Sequence, residues 1–418
     1  MECYVDGISH GGEGVARIEG KATFIPYTIP GETVDAEIAE EKPNYQRGRV
    51  KAIVSPSPDR VKPPCRHFYN CGGCSYQHVA YPRQLELKQQ TVTDALYRIG
   101  GIDIKVNPVI GMDNPWHYRN KVEWHAGIVA GRAVLGYYIN NSHDLIPIDD
   151  CPLISEKMQS CSRYIADHYR ELNLPDQGAV TVRQSSLGQL MLIFHGTGAS
   201  KIDFPQLTDR IEVDSVFSLE RGKLRHHYGS KSLAEQLSGL DFEISPLSFF
   251  QVNHQQTEKM LQLIKAYAGL RGSENLLDAF CGTGSMALQL AGSIKTVTGV
   301  ESLTAAVQDA EKNAVINHIS NCRFISGKCE QIIPALKEKF DVVVLDPPRS
   351  GCKKALIQSV INISPRTIIY VSCNPATLAR DLALFNNTAY TIETVQPLDM
   401  FSQTGHVENI ILLQRMST

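Results

Sequence analysis

Over its last third the chain alternates short, continuous apolar runs with helix-length stretches. The runs are Asn275-Leu276-Leu277-Asp278-Ala279-Phe280, Thr296-Val297-Thr298-Gly299-Val300, Arg323-Phe324-Ile325, Val342-Val343-Val344-Leu345 and Thr367-Ile368-Ile369-Tyr370-Val371. Runs this short and this apolar suit strands covered on both faces, with the intervening helices as cover. The pattern predicts an α/β unit over 246–418, built on a doubly wound, mostly parallel, Rossmann-like sheet. Two closing runs, near 389–395 and 407–413, have no helix-length insert between them and are expected to add antiparallel.

The head of the chain has another rhythm. Residues 1–54 break into short β-rich runs punctuated by glycine, as in Gly11-Gly12-Glu13-Gly14 and Pro30-Gly31. Strands this short at regular spacing predict a small OB-like β-barrel. Its tip carries Tyr45, Arg47 and Arg49, residue types that stack on bases and contact phosphates, although a plain solvated hairpin has the same composition. Val54-Ser55-Pro56-Ser57-Pro58-Asp59-Arg60 reads as a linker, because its prolines block regular structure. Residues 60–245 are expected to form an α+β central domain. There Leu85, Lys88, Val92, Leu96 and Ile99 recur at helical spacing and stop at Gly100-Gly101, with β-like runs further on, near 190–194 and 213–217.

Length and composition narrow the class. With 418 residues and 43% hydrophobic content the chain buries sizeable cores and divides into two or three domains. A net charge of −3 means that any nucleic-acid surface is local, not global. No run of about 18 apolar residues exists to span a membrane. The opening residues lack a basic segment followed by an apolar one, so a cytoplasmic location is expected. Eleven Cys are then reduced or metal-bound. A monomer is expected.

Four of those cysteines form a pattern. Cys65-x5-Cys71-x2-Cys74 is joined far downstream by Cys151, and Gly72-Gly73 lets the backbone fold tightly between two of them. Four thiolates suit either zinc or a [4Fe–4S] cluster, and spacing alone leaves the choice open. Such a site ties a loop to the domain body without any redox chemistry.

Three strand ends carry the remaining chemistry. Asp278-Ala279-Phe280-Cys281-Gly282-Thr283-Gly284 is a strand, then a glycine turn and a helix start, where backbone amides approach an adenosine cofactor. Glu301 ends the next strand, where an acid holds ribose hydroxyls. The same pattern fits NAD, so an NAD-dependent oxidoreductase competes at this point. Asp346-Pro347-Pro348-Arg349 makes a rigid edge loop that lacks amide donors at both prolines. Cys373, in Ser372-Cys373-Asn374-Pro375, stands at the end of another strand, on the edge where ligands bind in open α/β sheets.

Taken in order, Phe249-Phe250-Gln251-Val252-Asn253, the Asp278–Gly284 loop, Asp346-Pro347-Pro348-Arg349, Val371-Ser372-Cys373-Asn374-Pro375 and Gly405-His406-Val407-Glu408 resemble the S-adenosylmethionine-dependent RNA (uracil-5)-methyltransferases. The resemblance covers nearly the whole chain. It implies a TRAM domain at the head, a methyltransferase fold at the tail, and a helix near 85–105 packed on the catalytic domain. It also implies Cys373 as nucleophile and Glu408 as base. Gln251, Phe280, Gly282, Glu301 and Asp346 would line the S-adenosylmethionine and uracil sites. Cys65, Cys71, Cys74 and Cys151 match the family's [4Fe–4S] ligands. Barrel and thiol set together resemble enzymes of 23S ribosomal RNA more than the shorter transfer-RNA enzymes, with transfer RNA as the alternative. Ser350-Gly351-Cys352 and Ser285-Met286 depart from the usual pattern, which bears on substrate choice more than on chemistry. Arg119, Lys121, Arg349 and Arg380 are the candidate phosphate contacts. A non-catalytic RNA-binding protein is the remaining alternative.

Overall fold

The computed structural model describes residues 1–139, 142–175 and 177–416. The first five strands, Glu2–Ile8, Gly14–Ile18, Lys21–Ile25, Thr33–Glu41 and Tyr45–Ser55, close into a barrel. Alternate residues point inward, so Cys3, Val5, Ala16, Ile18, Ile25, Val34 and Ala36 fill the interior. At its tip Arg47 is engaged by Glu13 and Glu40 and Tyr45 packs edge-on against Phe24, while Arg49 stays exposed. The proline-rich segment after the barrel has no regular structure, yet it is firmly held. Arg60 grips the fully buried Glu32 through both carboxylate oxygens, and the Ser57 amide donates to the same group.

A seven-stranded sheet forms the middle of the molecule, with most neighbours antiparallel and one parallel pair, Leu190–His195 beside Ser215–Glu220. Its core gathers Trp124, Met158, Ile165, Val180, Val182 and Phe194. The helix Tyr81–Gly100 packs on the last part of the chain. There Gly100 approaches so closely that a Cβ would lie 2.9 Å from the Ala379 carbonyl oxygen. Lys88, which falls in the helix's apolar stripe by spacing, is fully buried as that stripe requires. Its ammonium pairs with the equally buried Asp399.

The last part is a seven-stranded sheet. Its order is Cys322–Ser326, Thr296–Glu301, Asn275–Ala279, Val342–Leu345, Thr367–Ser372, Glu408–Arg415, Tyr390–Leu398. The first five strands run parallel, and the last two add antiparallel. The central strands are buried on both faces because alternate residues enter two different cores. Leu276, Val342, Val344 and Ile369 pack with Met260 and Ile264 on one side. Leu277, Val343, Leu345 and Ile368 pack with Val92, Leu96 and Leu356 on the other. Strand order reverses between Asn275–Ala279 and Val342–Leu345, and a crevice opens at their carboxyl ends.

Candidate active site

The crevice is built from loops whose backbone the sequence dictates. Phe280, Gly282 and Gly284 all adopt positive φ, at 67°, 54° and 83°. A non-glycine residue in that region is uncommon, and Phe280 is held there by its amide and that of Cys281, which both donate to the Val300 carbonyl. A Cβ on Gly282 would meet nothing within 4 Å, so the turn leaves open space above it. Glu301 accepts from the Leu303 amide at 2.7 Å and from the Gly282 amide at 3.3 Å, which fixes its carboxylate against the glycine turn.

Gln251, Phe280, Gly282 and Asp346 line one cavity together with Phe249 and Asp278. Asp278 was not among the sequence-derived site residues. Both of its carboxyl oxygens are buried without a hydrogen-bond partner. Burial pushes its pKa to about 8, and the charges of Asp346 and Glu301 add to the effect. A buried, unsatisfied carboxyl in a glycine-floored cavity suits a ligand carrying an ammonium or other cation. The signal was present in the chain: one acid interrupts an otherwise apolar buried strand.

The second half of the site lies one strand further along. Thr367–Ser372 pairs antiparallel with Glu408–Arg415 in a register that sets Ser372 opposite Asn409. Cys373 directly follows Ser372 and Glu408 directly precedes Asn409, so both lie at the same end of this ladder, and the Glu408 charge acts on the Cys373 thiol. The Asn409 side chain donates to the Ser372 carbonyl at 3.0 Å and holds this end of the ladder together. Asn374 caps the helix Pro375–Leu382 by accepting from the Ala376 amide, so the chain turns directly after the thiol. Cys373 is half-buried and Glu408 is buried.

Electrostatics of this pocket favour neutral groups before any ligand arrives. Burial pushes the Cys373 thiol up to about 11; Glu408 adds to that and Arg349 opposes it. Burial raises the Glu408 carboxyl well above the usual range, again with Asp346 adding and Arg349 opposing. Asp346 is pushed to about 7 by burial. His406, 3.0 Å from the Arg349 guanidinium, is driven down to about 4 by burial and by that cation.

The other basic residues fall in different places. Arg119 lines the thiol cavity, and its Nε donates to the Lys121 carbonyl. Arg380 is tied to Asp381 and to the carbonyls of Ser350 and Cys352. Lys121 is half-buried. Of the four candidate phosphate contacts, only Arg349 stands beside Cys373.

Cys65, Cys71, Cys74 and Cys151 line a single cavity, although Cys151 is remote in sequence. All eleven cysteines are free thiols. Burial raises the pKa of Cys74, and the other three thiols add to it. Among the described residues, no group of three or more His, Cys, Asp or Glu converges as a single metal ion would need.

Residues 218–416 match the family described as tRNA (Uracil-5-)-methyltransferase, and residues 1–51 match the TRAM domain. A protein of Clostridium tetani (strain Massachusetts / E88), named an uncharacterized RNA methyltransferase, is 38% identical over 98% of this chain and 95% of its own length. The chain belongs to the tRNA (uracil-5-)-methyltransferase family. It is therefore an RNA (uracil-5-)-methyltransferase, of a family that uses S-adenosylmethionine. A second RNA methyltransferase, from Caldanaerobacter subterraneus subsp. tengcongensis, is 39% identical over 99% of this chain and 98% of its own. The fold is that of the Pyrococcus abyssi tRNA (uracil-54, C5)-methyltransferase solved with S-adenosyl-L-homocysteine. That structure matches with a TM-score of 0.78 at 24% identity, over 99% of this chain and 100% of that one. The NAD-dependent reading of the glycine turn gives way to this family. No helix among the described residues is long and apolar enough to cross a membrane.

Proposed function

We propose that this uracil-5-methyltransferase modifies carbon 5 of a specific uridine in structured RNA, 23S ribosomal RNA before transfer RNA, through a covalent Cys373–uracil intermediate. The observation that carries the reading is that Cys373 and Glu408 lie at the same end of one strand ladder, close enough for the Glu408 charge to act on the thiol, one strand from Asp346 and its cavity. Carbon 5 of uracil is a poor nucleophile. Attack of the Cys373 thiolate on carbon 6 makes the ring an enolate and carbon 5 electron-rich. S-adenosylmethionine, when bound, supplies an electrophilic methyl on a sulfonium, and a cation beside buried carboxyls favours their ionised forms. Asp278 and Glu301 hold that donor, and Gly282 lets it approach the backbone. Gln251 donates to the uracil edge and stabilises the enolate, an effect of about 3 kcal/mol per donor in comparable sites, and Asp346 adds to it only while its carboxyl is protonated. Glu408 removes the hydrogen left on carbon 5, and the Cys373 sulfur then departs as thiolate.

The target carbon is unreachable in a stacked helix, so the uridine is taken from a loop or flipped out. Ribosomal RNA is favoured by the combination of the TRAM barrel with the four-thiol cavity. Mapping 5-methyluridine in 23S ribosomal and transfer RNA from a deletion strain tests the assignment. Loss of a ribosomal 5-methyluridine is expected. Loss confined to transfer RNA would reassign the substrate, and no loss from either would overturn the activity.

Cys65, Cys71, Cys74 and Cys151 are read as ligands of a [4Fe–4S] cluster. Zinc draws four sulfurs to about 2.3 Å from one point. These four thiols line one shared cavity, and the choice of cluster over zinc rests on the resemblance of their spacing to the family's cluster ligands. Such a group would tie the 65–74 loop to Cys151 and would take no part in methyl transfer. Protein purified without air is expected to show broad visible absorption and about four iron atoms per chain. A colourless, zinc-containing protein would overturn this.

A further inference from the structure

The segment from Phe401 to Val407 links the buried Asp399 to Glu408, and many of the grips on it come from outside the catalytic sheet. The thiol-bearing loop supplies three of them. The Ser75 and Tyr76 amides both donate to the Gln403 carbonyl, at 3.1 and 3.0 Å, and the Gly405 amide donates to Ser75 Oγ at 2.9 Å. From the helix Tyr81–Gly100, Lys88 donates to the Phe401 carbonyl at 3.1 Å. Gln84, in the same helix, exchanges two hydrogen bonds with Gln403, at 3.0 and 3.2 Å. Tyr118 donates to the Ser402 carbonyl at 3.0 Å. The barrel presses on the same segment: a Cβ on Gly405 would lie 2.9 Å from the Gly12 amide nitrogen.

These contacts satisfy the main chain of a loop that strand pairing does not reach, and they set where the strand Glu408–Arg415 begins. We propose that Ser75 is a positioning residue for the general base. Its hydroxyl clamps Gly405 and thereby aims Glu408 at the carbon-5 hydrogen. The thiol-bearing loop then acts as a strut for one half of the reaction only. Addition and methyl transfer depend on Cys373, which sits on a different strand end. Release of the product depends on Glu408. This inference rests on the reading of Glu408 as base.

The two halves separate in single-turnover reactions with enzyme in excess, using denaturing gels to follow the protein–RNA adduct and its decay. Ser75→Ala removes one hydrogen bond, a loss the fold tolerates. It is expected to form adduct within about twofold of the unaltered enzyme, but to release methylated RNA on the order of tenfold more slowly, since small misplacements of a reacting group are costly. Faster hydrogen exchange at the Gly405 amide is expected alongside. Unchanged release, or equal slowing of both halves, would overturn the clamp. Glu408→Gln is the control. If it accumulates adduct and Ser75→Ala does not, the clamp alone fails. If Glu408→Gln accumulates none, the base assignment fails and the clamp falls with it.

Discussion

Cys373→Ala is expected to abolish methylation while leaving RNA and S-adenosylmethionine binding near that of the unaltered enzyme. The thiol lies at a strand end with its side chain half-buried, and the surrounding ladder is held by the Asn409 contact to Ser372, so alanine leaves the frame intact. What disappears is the bond to carbon 6, without which carbon 5 has no electron pair to offer the methyl. Removing the nucleophile of a covalent enzyme leaves only binding and electrostatic help, so the loss is at least about 10⁴-fold. Measured turnover with radiolabelled donor, together with donor affinity by calorimetry, checks both halves of the statement. Detectable turnover by the alanine variant within about a hundredfold would remove the covalent mechanism. The resting thiol, with its pKa pushed up to about 11, is almost wholly protonated at neutral pH. The rate of adduct formation is therefore expected to rise with pH, since the nucleophile is the thiolate and its fraction grows as pH approaches that value.

Much of this site was legible in the chain because strand ends are legible. Short apolar runs at 276–279, 342–345 and 367–372 mark buried parallel strands, and the loops leaving their carboxyl ends share one edge of the sheet. That logic put the glycine turn, Asp346 and Cys373 on a common rim. It also foresaw that the last two strands add antiparallel. The neighbour of Cys373 at the end of the ladder was not readable from periodicity, because register is a tertiary property, and Glu408 came only with the family resemblance. Asp278 was passed over as a candidate because a charge inside an apolar run reads as an exception to the pattern, and only the structure shows it lining the cavity without a hydrogen-bond partner. Lys88 shows the opposite case. Helical spacing assigned it correctly to the buried face, but nothing local announced Asp399, more than three hundred positions away, as its counter-charge. The basic residues were the least legible, because an arginine's sequence neighbours do not tell which carbonyls its guanidinium meets, as with Arg119 on Lys121 and Arg380 on Ser350.

Glu408→Gln is expected to arrest the reaction midway, with methylated RNA covalently held by Cys373. Glutamine keeps the size of the side chain, so addition and methyl transfer proceed. It cannot take the proton from carbon 5, and release slows by about 10²–10⁴-fold, the range over which positioned bases contribute. Desolvation and Asp346 raise the pKa of the buried carboxyl well above its usual range, with Arg349 opposing, so charge gathered around it on ligand binding helps it act as base. In the unaltered enzyme, release should therefore rise with pH as Glu408 ionises and level off once it is fully charged. In the glutamine variant that pH dependence vanishes, because the amide does not titrate. A gel-stable adduct that contains 5-methyluridine on nuclease digestion distinguishes arrest after transfer from failure to transfer. Normal release by Glu408→Gln would move the base to another group. Asp346, the neighbouring carboxyl with its pKa pushed up to about 7, is then the first to replace.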